Sequence, residues 1–284
     1  MAYRFMCYPG GVRKAVTFSY DDGCEYDLRL RDIFNSYGMK ATFNLNSDRL
    51  LNGNGISVAD ARSFIADGHE IAVHGKYHKA NGVSSAIDGI RDVLLCREEL
   101  ENALETIIRG MAYPDTGILS FANGTDYNKV KAYLSDLGIV YSRTVGDDNN
   151  RFALPSDWYQ WMPTAHHNNS DIFRLADEFL AFDLEGIHGA MRQPMLFYVW
   201  GHSYEFDCDG NWERIEEICR KFSDREDIWL ATNMEIYDYV NAYNSLVWSA
   251  DGKRVYNPTL IDVYFSLGND RYKVLSGETL VIMG

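Results

Sequence analysis

The sequence predicts an α/β fold: a distorted (β/α)7–8 barrel followed by a small antiparallel β appendage. Three observations lead there. Strand-like and helix-like patterns alternate with mostly short connections as far as residue 244, the pattern of a parallel sheet. The run Met-Leu-Phe-Tyr-Val-Trp at 195–200 is apolar throughout, as a strand covered on both faces requires. After residue 245 the text changes to short β-branched segments divided by turn dipeptides such as Asp251-Gly252 and Ser276-Gly277. The expected division is therefore a barrel over residues 1–244 and a β-hairpin appendage of three to five strands over 245–284. A length of 284 residues and a hydrophobic share of 46% suit one barrel with a large core.

Taken in order, residues 15–20 read as a first strand, followed by a helix over 25–37 that stops at Gly38. Residues 40–45 form a second strand. Ser57 is placed to cap a helix over 58–66 that closes at Gly68, and residues 70–73 form a third strand running into His74. The stretch 84–108 carries apolar residues at helical spacing and is expected to be helical in more than one piece. A short strand at 111–113 ends at Pro114, a helix starts near Thr125 or Asp126 and stops at Gly138, and a fifth strand covers 139–145. Residues 147–150 read as a polar loop and 158–164 as an aromatic strand interrupted by Pro163. A helix over 171–184, the strand at 195–200, a helix over 212–222, a strand over 228–231 and a helix over 234–243 complete the barrel.

Composition excludes several function classes. With 27 basic and 41 acidic residues the formal net charge is −14, which repels nucleic-acid phosphates and anionic membrane surfaces. Neither nucleic acid nor membrane is therefore an expected partner, and nothing in the sequence speaks to oligomeric state. The five cysteines (7, 24, 96, 208 and 219) form no C-x-x-C pair, so neither a thiolate cluster nor a disulfide framework is expected. The N-terminus has no basic region followed by an apolar one, and no apolar run approaches membrane-spanning length. A cytoplasmic location is the expectation, or a secreted one if a leader has been removed. Aromatic residues make up 14% of the chain; most belong in the core, and a few on the surface would suit stacking against sugar rings.

The residues that carry chemistry stand at predicted strand ends, where barrels gather their active sites. The first strand ends in Asp21-Asp22-Gly23. Neighbouring side chains on a strand face opposite ways, so both aspartates reach one site only where the strand breaks into a loop. Such a pair suits one carboxylate on a metal and one holding a proton, although acidic pairs at turns are ordinarily just solvated. His74 and His78, four apart after the third strand, can bind one ion. Joined by a carboxylate from another strand end, they give a His-His-Asp set with positions left open for water. Arg109 stands near the start of the strand that ends at Pro114, and His202 follows the strand at 195–200.

This ordered set resembles the polysaccharide deacetylases of carbohydrate esterase family 4, the NodB-type deacetylase domain, over roughly residues 14–232. Thr17-Phe18…Asp21-Asp22-Gly23 is similar to the family's first motif, T-F-D-D-G, with Ser19 and Tyr20 read as inserted. His74…His78 resembles H-[ST]-x-x-H, with Gly75 in the hydroxyl position. Arg109…Pro114 resembles the third motif, with Asp115-Thr116-Gly117 in place of aromatic-Gly. Asp157-Trp158 has the dipeptide of the fourth motif, with Trp161 and His166-His167 as rivals, and His202 fits L-x-H with Trp200 in the leucine position. The resemblance implies that Asp22, His74 and His78 bind a divalent metal, most often zinc, with cobalt, nickel or manganese as alternatives. It implies Asp21 as general base, His202 as general acid, Arg109 as the tether of Asp21, and the N–H after Pro114 as an oxyanion donor. The substrate would be an N- or O-acetylated saccharide.

General chemistry agrees with those roles. A metal lowers the pKa of water, and a nearby carboxylate takes its proton during attack on the acetyl carbonyl. A histidine on the opposite side protonates the leaving amine. Tyr113, Asp115, Asp157, Trp158, Trp161 and Trp200 are the candidates for substrate contact, each competing with a core or solvated reading. Glu205 is a candidate to orient a histidine, and His166-His167 reads more simply as a polar loop pair. Two other readings stay open: a related metal-dependent C–N hydrolase acting on a small non-sugar amide, and a catalytically inactive carbohydrate-binding barrel.

Overall fold

The chain opens with β1 (Arg4–Cys7) and β2 (Lys14–Asp21), in a computed structural model that describes residues 3–144, 149 and 151–282. Next come α1 (Asp27–Ser36), β3 (Ala41–Leu45), α2 (Ser47–Leu51), α3 (Val58–Ala66), β4 (Glu70–Val73) and α4 (Ala86–Leu104). They lead to β5 (Gly110–Ala112), α5 (Tyr127–Asp136), β6 (Tyr141–Arg143), β7 (Ala165–His166), α6 (Ile172–Ala181) and β8 (Met195–Gly201). Finally α7 (Ser203–Cys208), α8 (Trp212–Phe222), β9 (Ile228–Leu230) and α9 (Asn233–Asn244) precede five short strands, β10 (Val247–Trp248), β11 (Arg254–Tyr256), β12 (Val263–Leu267), β13 (Asp270–Val274) and β14 (Thr279–Val281).

Eight strands, β2 to β9, form one parallel sheet in the order β6-β5-β4-β3-β2-β8-β7, with β9 wedged against the start of β2. The sheet curls until its ends meet: Arg143 of β6 bridges Trp161, and the chain from Trp161 runs into β7. The expected barrel is thus closed at one seam by a single bridge. Alternation along β2 sets its two faces. Val16, Phe18 and Tyr20 point out into the core shared with the helices, while Thr17, Ser19 and Asp21 point inward, where Thr17 meets Asn233 and Ser19 meets Asn44.

Ser57 with Asp60 caps α3 and Thr232 with Glu235 caps α9, each through a reciprocal pair of hydrogen bonds that satisfies orphan N–H groups of the first turn. Below the site the barrel is plugged by Tyr141, Trp161 and Tyr198, with Trp161 edge-on to both tyrosines at centroid distances of 5.3 and 5.1 Å. Under the plug, Glu70 accepts hydrogen bonds from Tyr141 (2.6 Å), Thr42 (2.7 Å) and the Met234 N–H at the start of α9 (2.8 Å).

Several expectations change. The stretch 158–164 is not a strand: Trp158–Gln160 is a 3-10 turn, and the ladder resumes only at Ala165–His166. Aromatic composition suggested a strand there, but Pro163 and the Asp157 cap favour the turn. The stretch 84–108 forms one helix, α4, ending at Glu105 in a left-handed cap. β1, α2 and α7 lacked a periodic signal because they are four to six residues long. Of the expected polar loop 147–150, all but Asn149 lies outside the described residues. The antiparallel region is two three-stranded sheets, β1-β12-β13 and β10-β11-β14, so the appendage draws one strand from the N-terminus. Its small core of Leu246, Val255, Val263, Phe265, Val274 and Ile282 packs onto α9 through Ala242 and Tyr243.

Candidate active site

The C-terminal ends of β2, β4, β6 and β8 converge, and each delivers a polar side chain. β2 is regular to Asp21, pairing Asp21 with Asn44 without a bulge. Asp22 and Gly23 then turn through left-handed backbone at φ 84° and 66°. This break lets two consecutive carboxylates face one centre. It also corrects the reading of Ser19-Tyr20 as an insertion. Both are ordinary strand residues, so Ser19-Tyr20-Asp21-Asp22-Gly23 stands in register where T-F-D-D-G was sought further upstream.

Asp22 Oδ1 lies 3.6 Å from His74 Nε2 and 3.4 Å from His78 Nε2. His74 Nδ1 is 2.9 Å from the Ala112 carbonyl, which assigns the proton to Nδ1 and leaves the Nε2 lone pair facing the two other donors. The set fits a divalent ion: ligands about 2.1 Å from a tetrahedral centre stand about 3.4 Å from one another. Two imidazoles and one carboxylate leave further positions open.

The His74–His78 turn is held from α4. Asp92 Oδ1 accepts from the Tyr77 N–H at 2.8 Å, and the Asp92 carbonyl accepts from Lys76 N at 3.1 Å. Gly75 has φ 70°, and a Cβ there would run into Asp92 Oδ2, with Asp92 Cγ at 3.4 Å and Pro114 Cγ at 3.5 Å. The missing hydroxyl at position 75 is therefore answered by a carboxylate from a different element. Burial pushes the Asp92 carboxyl up from its ordinary pKa, against the lowering effect of the Tyr77 and Lys79 N–H groups.

Asp21 is fully enclosed. Its Oδ1 accepts from Asn44 Nδ2 at 2.8 Å, and its Oδ2 is paired with Arg143, itself fully buried. Burial alone would raise the Asp21 pKa, but the Arg143 charge, with His74 and His202, carries it below the usual carboxylate value. Arg143 also lies 4.6 Å over the Trp200 ring. Arg109 does not hold Asp21. It stands before β5, at the opposite end of the barrel from the site, and pairs with Asp238 at 2.6 Å. The sequence offered a signal for Arg143 that went unused: an arginine inside an apolar strand, at an inward position near the strand's C-terminal end.

His202 Nε2 is 4.0 Å from Asp21 Oδ2, and its Nδ1 is 3.5 Å from Glu205 Oε2. Burial lowers the His202 pKa, but Glu205, Asp21 and Asp22 outweigh it and the net shift is upward. Glu205 also receives the His202 N–H (3.1 Å) and sits 3.1 Å from His166 Nε2 and 3.3 Å from His167 Nε2. Although burial raises it, the bonds from His166 and His202 leave Glu205 well below the carboxylate range. His166-His167 is thus a strand end rather than a polar loop. His166 faces Glu205, while His167 is buried between Tyr20 and Phe206, in space that a Cβ on Gly201 would occupy.

The other candidates divide. Trp161 and Trp158 belong to the plug and its edge, with Trp158 against Tyr237. Tyr113 is buried and donates to the Tyr159 carbonyl at 3.1 Å. Asp157 is taken by Lys131 and Tyr127, both at 2.7 Å. None of these four is offered to a ligand at the site. Trp200 reaches the site beneath Arg143 and beside His166, and Asp115 is exposed in left-handed backbone after Pro114. The aromatic rings that line the clefts near the metal donors are tyrosines: Tyr77 on one side, Tyr26 and Tyr204 on the other.

Comparison with known proteins follows this geometry. Residues 9–141 match the family model described as polysaccharide deacetylase. No curated protein matches the sequence. Among solved structures, the fold is similar to two bacterial proteins whose polysaccharide deacetylase names are themselves inferred. The one from Mycobacterium smegmatis is 17% identical, with a TM-score of 0.56 over 84% of this chain and 93% of that one. The one from Pseudomonas aeruginosa PAO1 is 14% identical, with a TM-score of 0.57 over 81% and 92%. The PuuE allantoinase is equally similar in fold, at 13% identity and a TM-score of 0.57 over 81% and 91%. Residues 9–141 are thus similar in sequence to the polysaccharide deacetylase family, and the chain as a whole shares the fold of these solved structures.

Proposed function

We propose that the chain is a metal-dependent hydrolase that removes acetyl groups from an N- or O-acetylated saccharide. The observation that carries this reading is the arrangement around Asp21. The donors Asp22, His74 and His78 lie on one side, Arg143 pins it from below, and His202 stands across from the donors.

Asp22, His74 and His78 would hold the cation, with zinc the expected ion. When bound, a divalent ion there supplies Lewis acidity toward a carbonyl oxygen and acidifies water. Asp21, kept ionised by Arg143 and fixed by Asn44, accepts a proton at Oδ2. Its orientation is set in advance, since both its oxygens are held by buried side chains. His202, with Glu205 at Nδ1, presents Nε2–H to the leaving amine or alkoxide. Trp200 and Arg143 floor the site, and the N–H following Pro114 is the oxyanion donor in this reading.

The test is acetate release from a panel of N- and O-acetylated oligosaccharides. Protein stripped by chelation receives single divalent ions in turn, with small non-sugar amides assayed alongside. Release that depends on added metal and vanishes in His74→Ala is the expected result. Metal-loaded protein that frees no acetate from any saccharide but cleaves a small amide would replace this reading with the C–N hydrolase one.

A further inference from the structure

Two clefts share one lining side chain, and the first of them is bounded by Asp22. The first, of about 570 Å³, is bounded by Asp22, Asn46, Asp48, Arg49, Lys76, Tyr77, His78 and Lys79. The second, of about 410 Å³, has Cys24, Glu25, Tyr26, Arg49, Gly55 and Tyr204 in its wall. Arg49 stands at their junction. Its side-chain stem lies along Gly55, where a Cβ would meet Arg49 Cγ and Cδ at 3.2 Å. Among the described residues its guanidinium reaches one hydrogen-bond partner, the Asp22 carbonyl, at a long 3.5 Å.

The charge setting makes this arrangement informative. The chain carries 41 acidic residues against 27 basic ones, yet among the described residues no carboxylate lies within ion-pair distance of Arg49. In the same cleft Lys76 is neutralised by Glu99, and Asp48 accepts from Asn52 at 3.0 Å. Lys79 is exposed and, among the described residues, in no ion pair. Arg49 and Lys79 therefore stand without a carboxylate partner, among the described residues, in the cleft bounded by Asp22 and His78. A guanidinium offers a planar fork that matches an oxyanion through paired hydrogen bonds. A cleft meant for a neutral sugar would leave that fork without a partner of its own chemistry. In a chain of net charge −14, an anionic substrate also needs a local cation to approach.

We propose that Arg49 selects acetylated saccharides bearing an oxyanion, a carboxylate or a phosphate, near the acetyl group, with Lys79 contributing charge at the rim. The inference rests on the deacetylase reading for the word acetylated, but the anion preference is measurable without turnover.

Two experiments separate the claims. In the first, binding of glucose, glucuronate and glucose 6-phosphate to the metal-free protein is measured by calorimetry at low ionic strength. Preference for either anion over glucose by tenfold or more, lost in Arg49→Gln and partly kept in Arg49→Lys, supports the proposal. The anion preferred tells carboxylate from phosphate. Equal affinities in the wild type, or a preference that survives in Arg49→Gln, overturn it. In the second, kcat/KM is compared for N-acetylglucosamine, N-acetylmuramic acid and N-acetylglucosamine 6-phosphate in metal-loaded protein. The ratio of anionic to neutral substrate should fall at least tenfold in Arg49→Gln. Failure to release acetate from any of the three, with the anion preference intact in the binding experiment, counts against the deacetylase reading and not against Arg49.

Discussion

Restoring a serine at position 75 should harm this protein. In Gly75→Ser the new Cβ meets Asp92 and Pro114, and the backbone must keep φ 70° with a side chain attached. The left-handed conformation costs about 1–2 kcal/mol for an L-residue. Forcing atoms into a filled space adds about 1–3 kcal/mol. Together these give a loss of roughly 2–5 kcal/mol, which for a chain of this size lowers Tm by on the order of 10 °C. Gly75 lies between His74 and His78, so metal affinity, read by titration calorimetry, should fall about 10- to 100-fold. Gly75→Ala should behave alike, because the damage comes from Cβ and not from the hydroxyl. Adding Asp92→Ala removes the obstructing carboxylate, so the double variant should lose less than the sum of the singles. A Gly75→Ser protein with unchanged Tm and unchanged metal affinity would refute the account of this loop.

Four further outcomes follow from the same geometry. Arg143→Met leaves the Asp21 carboxylate buried without its cation and should destabilise the fold by about 3–5 kcal/mol in urea titrations, with loss of activity. Arg109→Ala breaks only a partly exposed pair and should cost under about 1 kcal/mol, with kcat/KM intact; a dead Arg109→Ala enzyme would reverse the assignment. Trp161→Ala should cost about 3–5 kcal/mol by opening the barrel plug, with the loss appearing in Tm before any change in KM. For pH, burial raises Glu70 from 4.5 to about 7, against opposing bonds from Tyr141, Met234 and Thr42. The folded state then holds an extra proton between those values. Stability therefore falls as pH rises through that window, by roughly 3 kcal/mol in all, and levels off above it. Denaturant titrations from pH 4.5 to 7.5 should show this slope in the wild type and a flatter one in Glu70→Gln.

What the sequence disclosed and what it hid divide along physical lines. Residues that depend on a strand end and a short spacing were legible: Asp22, His74 and His78 come together as their order suggested, with Asp21 beside His74. So was the curled parallel sheet, because runs such as Met195–Gly201 read as strands covered on both faces. Arg143 was legible as an inward arginine at a strand end but not as the partner of Asp21, and Asp92 not at all, since each acts from a different element through contacts that no spacing encodes. Arg109 misled for the same reason: proximity to Pro114 along the chain places it at the wrong end of a three-residue strand. Trp158 and Trp161 show the limit of composition. An aromatic cluster reads alike whether it plugs a barrel or carries a sugar.

The pairing of β1 with β12 ties Arg4 to Leu267 and Cys7 to Tyr264, so β1 has its sheet neighbour only once a segment far along the chain has formed. Until then it is a bare edge carrying Phe5, Met6 and Cys7, all buried once the sheet forms. Completion of this sheet thus depends on a pairing between segments far apart in the chain, and contacts between distant residues form slowly. Trimming the last strands would not release a tidy barrel. It would free a sticky N-terminal strand and uncover the face of α9, whose first turn supplies the N–H that holds Glu70 under the barrel's plug. The small sheet works as a latch closed by strands from widely separated parts of the sequence.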